Sequence, residues 1–158
     1  MSHLIEIRRL SDTDANVYSV LRKEANTDKN YRGNRDPENG LTQNEAQRLV
    51  VSTNTIVIGA FTNDKLVGMV SLGWMDKKFT LFGLFVSEKY RREGIGEMLT
   101  SAIIKQSTDL NAKTIKLEVI RSNKEAISLY EKMGFSYLRR NCSSLKLVLV
   151  LKSPSAAA

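Results

Sequence analysis

Arg91-Arg92-Glu93-Gly94-Ile95-Gly96 is the segment of this 158-residue chain whose residue types speak most directly of chemistry. Two glycines let the backbone approach a ligand closely and turn its N–H groups outward. An apolar helical pattern starts at Ile95, so the loop opens a helix whose N-terminus adds partial positive charge. Together these make an anion cradle suited to a phosphate or pyrophosphate. Arg91 and Arg92 add formal charge. The segment is not a dinucleotide fingerprint, because the third glycine of G-x-G-x-x-G would fall at Leu99. Nor is it a P-loop, because no Gly-Lys-Ser/Thr follows. The bland alternative is an ordinary glycine-containing loop ahead of a helix.

Other residue types narrow the chemistry by their scarcity. The single histidine, His3, sits at the chain start, where a frayed terminus is expected. Histidine-based zinc sites and Ser-His-Asp or Cys-His nucleophile systems are disfavoured, and no metal is expected. The single cysteine, Cys142, makes no internal disulfide and has no histidine to activate it. Acid–base work must then fall to carboxylates, tyrosine or lysine. The start of the chain has no basic region followed by an apolar core, and one cysteine fits a reducing compartment, so a cytoplasmic setting is expected. The longest aliphatic run, Leu147 to Leu151, is far short of the ~20 residues of a membrane span.

Composition is that of a globular domain: 42% apolar, 26% charged, net charge +7. The charge is uneven. Residues 1–75 carry nine Lys+Arg and nine Asp+Glu, whereas residues 76–158 carry fifteen and eight. A basic half implies an anionic partner.

The elements that must position the loop follow from periodicity. Leu4–Leu10 alternates as a strand, and Ser11-Asp12-Thr13-Asp14 opens a helix with Val17, Tyr18, Leu21 and Ala25 on one face. Asn26–Gly40 is a long polar connection. Thr42 and Glu45 form a capping box, with Leu41 as a staple on Ala46, for a helix reaching about Ser52. Strands follow at Thr55–Phe61, Leu66–Trp74 and Phe79–Val86, with Asn63-Asp64 as the first hairpin turn. A helix carries Ile95, Met98, Leu99, Ala102 and Ile103 on one face. Thr114–Ile120 is a strand, and Ser122 and Glu125 read as a capping box for a helix that Gly134 ends. Tyr137–Arg140 and Leu145–Leu151 finish as strands. The order β-α-α-β-β-β-α-β-α-β-β predicts an α/β (α+β) fold, one mixed, twisted sheet with helices on both faces. Residues 1–152 read as a single domain and 153–158 as a disordered tail. Leu145–Leu151, taken as an edge strand, offers pairing across a homodimer.

Several motifs occur in a fixed order: Leu84-Phe85-Val86 at a strand end, Arg91-x-x-Gly94-x-Gly96, and Leu117-Glu118-Val119. Asn123-x-x-Ala126-x-x-Leu129-Tyr130-Glu131-x-x-Gly134-Phe135 follows. Over residues 79 to 138 this set resembles the GNAT superfamily of acetyl-CoA-dependent N-acetyltransferases. One departure is Ser87-Glu88, where the family often has a proline. The resemblance implies that the backbone of Leu84, Phe85 and Val86 holds the pantetheine arm like an added strand. It also implies that Arg91, Arg92, Glu93, Gly94, Ile95, Gly96 and Glu97 hold the pyrophosphate, and that Asn123 contacts the cofactor. If Asn123 itself caps the helix, that last role weakens.

An amine attacking a thioester must lose a proton, needs a donor for the oxyanion, and benefits from a proton on the departing thiolate. The Val86 N–H is a candidate oxyanion donor. Tyr130, at the family's usual acid position, is the candidate acid; its alternative is a core tyrosine with a satisfied hydroxyl. Glu118 is the candidate base, expected on a mostly covered sheet face that would raise its pKa. A salt bridge to Lys116 is the alternative reading, and water-relayed deprotonation would need no residue. The Leu-Glu-Val…Asn…Tyr spacing resembles the branch acting on protein N-termini, notably ribosomal-protein alanine acetyltransferases. The acceptor is expected under Asn26–Gly40, whose balanced charge points to a peptide N-terminal amine or a small amino compound rather than a polycation. A nucleic-acid-binding module is the rival from another class, disfavoured by few aromatics in the basic half. A non-catalytic acetyl-CoA sensor of the same fold is a second rival.

Overall fold

Asn63 and Asp64 both take left-handed backbone, at φ 48° and 61°, which builds the tight turn that a two-residue hairpin needs. It folds β2 (Thr55–Thr62) against β3 (Lys65–Met75). Asp76 and Lys77, at φ 51° and 62°, repeat the device and bring in β4 (Lys78–Val86). The computed structural model describes residues 3–31 and 42–152. Most of the 26–40 connection, the Leu41 staple and the 153–158 tail therefore lie outside the described residues.

The remaining elements are β1 (Glu6–Arg9), α1 (Ala15–Thr27), α2 (Gln43–Val51), α3 (Ile95–Asp109), β5 (Thr114–Ile120), α4 (Lys124–Lys132), β6 (Ser136–Arg140) and β7 (Ser144–Val150). Their order is the expected one. At the start of α2 the Thr42 hydroxyl accepts from the Glu45 amide at 3.2 Å, while Glu45 accepts from the Thr42 amide at 2.9 Å, the capping box read from sequence. At the end of β1, Arg8 makes a bidentate pair with Asp14 at 2.8 and 2.9 Å, which ties the strand to the start of α1.

The strands form one seven-stranded sheet in the order β1-β2-β3-β4-β5-β7-β6. Every pairing is antiparallel except β4 with β5, which is parallel. β7 is therefore an interior strand. The edges are β1 and β6, which corrects the expectation of a free edge at Leu145–Leu151 and removes the basis for pairing a dimer there.

Helices cover both faces. α1 and α2 bury Tyr18, Leu21, Ala46 and Val50 against Val57, Phe61, Met69 and Phe85. On the other face, Ile95, Leu99 and Ile103 of α3 and Ile127 and Tyr130 of α4 pack with Val70, Leu72, Ile115, Leu117 and Val119. The α1–α2 layer covers β2 and β3. On β5, by contrast, Lys116 and Glu118 alternate with the buried Ile115, Leu117 and Val119 and are exposed.

Parallel pairing of β4 with β5 is short, running only from Phe79 opposite Ile115 to Leu81 opposite Leu117. A β-bulge causes the parting. Leu72 faces Leu81 and Ser71 faces Gly83, which leaves Phe82 as the extra residue. Beyond it β4 bends away from β5, and the sheet opens.

Candidate active site

The opening exposes backbone. The Ser87 N–H donates to the Val67 carbonyl at 2.8 Å, and the Val86 carbonyl accepts from Arg91 Nε at 2.9 Å. Antiparallel ladders alternate the direction of their amides. Leu84 and Val86 therefore turn their N–H groups away from β3, into the gap that β5 leaves. A groove of about 540 Å³ follows this edge. Its walls are Leu84, Phe85 and Val86 of β4, the start of α3, the start of α4, and Asp28, Asn30 and Tyr31 beyond α1.

At the groove's far end Gly94 has φ +80° and Arg92 φ +63°. A Cβ at Gly94 would meet nothing within 4 Å, so glycine is required there for its backbone conformation and not for space. Gly96 differs: a Cβ there would lie 3.3 Å from Leu129, so its lack of a side chain lets α3 approach α4. The first helical bond of α3 runs from Met98 N–H to the Gly94 carbonyl. The amides of Arg92 through Glu97 donate to no protein acceptor among the described residues. A helix N-terminus preceded by this nest of outward amides is an anion site built from backbone.

The side chains of the same loop are engaged elsewhere. Arg91 donates to Val86 and, through Nη2, to Asp28 at 2.7 Å, and its guanidinium lies 5.5 Å from the Phe85 ring centre. It clamps the end of α1 to the end of β4, where formal charge for a ligand was expected. Burial works against the Asp28 carboxylate, but the Asn30 amide and Arg91 outweigh it and hold its pKa below the usual value. Arg92 pairs with Glu125 at 2.6 Å and Lys132 with Glu97 at 2.7 Å. His3 is no frayed residue: its Nδ1 lies 3.0 Å from Glu93, and its ring meets Tyr90 edge-on.

Asn123, and not Ser122, is the N-cap of α4. Its Oδ1 accepts from the Ala126 amide at 3.2 Å. The Ser122–Glu125 box therefore does not form. Capping uses only the carbonyl side of the amide, and Nδ2 keeps its two donors. Asn123 lines both the long groove and a smaller cavity of about 50 Å³ beside it.

That cavity holds both residues expected to do chemistry, Tyr130 and Glu118, together with Leu84, Phe82 and Asn30. Tyr130 is 5% exposed and packs on Phe135 with ring centres 5.5 Å apart. Its hydroxyl makes no hydrogen bond among the described residues, so it is not the satisfied core tyrosine of the alternative reading. Burial pushes its pKa up, which keeps it protonated at neutral pH. Glu118 departs from expectation. It is exposed, because the α1–α2 layer stops short of β5, where a covered face was expected. The Ser144 hydroxyl donates to it, Lys146 lies opposite it in the ladder, and it makes no ion pair with Lys116.

Sequence reading passed over Phe82 and Asn30. Phe82 is 51% exposed and lays its ring over Gly73, where a Cβ would come within 2.4 Å of it. A signal was present: the inward residues run Phe79, Leu81, then Leu84, Val86, a change of parity that requires a bulge. Cys142 is exposed in the β6–β7 turn. No group of three or more metal-ligating side chains exists among the described residues, and no described helix is long and apolar enough to cross a membrane.

The chain is similar to known proteins. The acetyltransferase (GNAT) family model matches residues 18–135. The chain is 41% identical over 64 residues to a [ribosomal protein bS18]-alanine N-acetyltransferase of Escherichia coli K12, covering 39% of this chain and 43% of that protein. It is 39% identical over 56 residues to an L-ornithine N5-acetyltransferase of Arabidopsis thaliana, covering 35% of this chain and 25% of that one. These matches span less than half the length of either relative. The crystal structure of PaiA N-acetyltransferase from Thermoplasma acidophilum in complex with coenzyme A has the same fold, with TM-score 0.80 at 23% identity over 94% of this chain and 99% of that one. With the family model matched over most of its length and the fold shared throughout, the chain belongs to the acetyltransferase (GNAT) family.

Proposed function

We propose that this protein transfers the acetyl group of acetyl-CoA to a primary amine by direct attack within a ternary complex, and that the amine is a peptide N-terminus. The observation that carries this reading is one continuous line of unpaired backbone donors. It runs from the amides of Arg92–Glu97 to those of Val86 and Leu84 and ends beside Tyr130. A pyrophosphate fits the first set and an extended pantetheine arm the second. The Asn123 Nδ2 is a further donor for the same cofactor. The donors suit acetyl-CoA in charge, order and direction.

In the reaction the amine nitrogen forms a bond to the thioester carbonyl carbon, and the C–S bond breaks. One proton leaves the nitrogen, and one is needed by the sulfur. The Val86 N–H is the donor for the oxyanion. Glu118 takes the amine's proton directly or through water, since it stands open to solvent at the cavity edge. Tyr130 faces the departing sulfur. A phenol at ~10 is a weaker acid than a thiol at ~8.5, so complete transfer to a free thiolate is uphill. Burial of Tyr130 widens that gap, while desolvation of the thiolate beside it narrows it. Tyr130 therefore acts first as a hydrogen-bond donor to the sulfur while charge builds there.

A small amino compound is the second reading, favoured by the L-ornithine enzyme among the relatives. Release of coenzyme A thiol from acetyl-CoA, followed with N-terminal peptides and with a diamine, tests both. Turnover of peptides above the diamine supports the first, and the reverse supports the second. No turnover with either, with acetyl-CoA bound, favours the non-catalytic sensor.

A further inference from the structure

The chain's excess charge does not sit where the phosphates would. Around the cradle Arg91, Arg92 and Lys132 are each paired with a carboxylate. The excess lies instead on and beside the three strands beyond the gap. Residues 113–121 and 136–152 carry seven Lys+Arg and a single acid, Glu118. Lys116, Lys146, Arg139 and Arg121 are in no ion pair among the described residues.

Register puts three of these on one face. Lys146 lies directly opposite Glu118, Arg139 lies opposite Lys146, and Lys116 is two residues from Glu118 on the same strand. All are exposed, on the face that the α1–α2 layer leaves uncovered. With neighbouring strands ~4.8 Å apart and ~3.3 Å per residue along a strand, the backbone at Lys146 is ~5 Å from Glu118, at Lys116 ~7 Å and at Arg139 ~10 Å. An extended peptide with its N-terminal amine at Glu118 advances by the same ~3.3 Å per residue. Run across the strands, its second and third residues pass Lys146 and its fourth reaches Arg139, while Lys116 flanks that path along β5.

We infer that this face is the acceptor's docking surface and that the acceptor is acidic: a peptide whose amine is followed within three residues by aspartate or glutamate. The inference rests on the proposed amine acceptor and adds its chemical class. Three cations share this face with one carboxylate, Glu118, so positive charge is in excess there, and an anionic partner relieves the repulsion among the cations. Lys146 and Arg139 serve as specificity residues and touch no reacting atom.

The test is the specificity constant for peptides with one N-terminal residue and Asp/Glu, Asn/Gln or Lys at residues two to four, at low and at physiological salt. The acidic series should exceed the neutral by about tenfold at low salt, with the margin shrinking as salt rises. Lys146→Glu with Arg139→Glu should reverse the order in favour of the lysine series and leave acetyl-CoA affinity unchanged. Lys146→Gln with Arg139→Gln, the milder pair, should abolish the preference. Equal rates for all three series, or a preference for lysine in the unaltered protein, overturns the inference while the acetyltransferase reading stands. Competition by an RNA oligonucleotide without any peptide preference overturns it in favour of a nucleic-acid surface. If acetyl-CoA does not bind, both readings fall together.

Discussion

The cradle at the start of α3 and the open face of β5, β7 and β6 hold their charge in opposite ways. At the cradle the amides donate to no protein acceptor among the described residues, and Arg91, Arg92 and Lys132 are spent on neighbouring carboxylates. On the open face β7 is laddered on both sides, and Lys116, Lys146 and Arg139 are in no ion pair among the described residues. Backbone dipoles fixed by a loop recognise one invariant group, a phosphate, whatever the side chains do. Exposed lysines and arginines recognise whatever acid a particular partner brings. The difference teaches why family membership reads through to the cofactor and stops before the acceptor.

Tyr130→Phe gives the largest effect expected of a single change. Turnover should fall about 10²–10⁴-fold. Melting temperature and acetyl-CoA affinity should hold, because the lost hydroxyl has no protein partner among the described residues. A loss under tenfold would remove Tyr130 from the chemistry.

Next comes a pair of changes at the cradle. Gly94→Ala forces a left-handed alanine, costing about 1–2 kcal/mol with no clash, and should weaken acetyl-CoA binding by about tenfold. Arg92→Gln removes a charge already tied to Glu125 and should change affinity by less than about threefold. If titration calorimetry finds the arginine change the larger, the cradle is not built from backbone and the contrast between the two regions collapses.

A cation paired away from both regions calibrates what pairing contributes. Arg8 holds the Asp14 carboxyl down to about 2. A depressed folded pKa adds stability that is present above the unfolded value of ~3.9 and disappears as pH falls through the folded one. Acid unfolding should therefore steepen between about pH 4 and pH 2. Asp14→Asn should remove that slope and cost about 1–2 kcal/mol at neutral pH, discounted because Arg8 is part-exposed. The smallest effect concerns the α4 cap: Asn123→Ala should cost ~1 kcal/mol in the melt and Ser122→Ala under ~0.5. Equal costs would return the cap to Ser122.

Most elements, their order and two of the three local devices were legible from the chain, because each is local. The Asn63-Asp64 turn and the Thr42/Glu45 box depend on residues within four positions of each other. The third device, the α4 cap, went to Asn123 because two good capping residues stand side by side and only the path of the chain chooses between them. What the sequence did not show is lateral. Whether β7 lies inside or outside β6 depends on pairing between strands. Whether Glu118 is covered depends on how far α1 and α2 reach across the sheet. The partners of Arg91, 63 residues away at Asp28, leave no trace in a linear pattern. Tyr130, Glu118 and Asn123 line one cavity, but Glu118 is exposed and Asn123 spends its Oδ1 on the α4 cap.

Thermal melting with acetyl-CoA, against ATP as a polyphosphate control, tests the central claim most directly, namely that the unpaired amides from Arg92–Glu97 to Leu84 form one cofactor site. At a hundred times its dissociation constant acetyl-CoA should stabilise the fold by about 2.7 kcal/mol, a rise of roughly 5–10 °C, with ATP giving little. No rise with acetyl-CoA, or an equal rise with ATP, would contradict it.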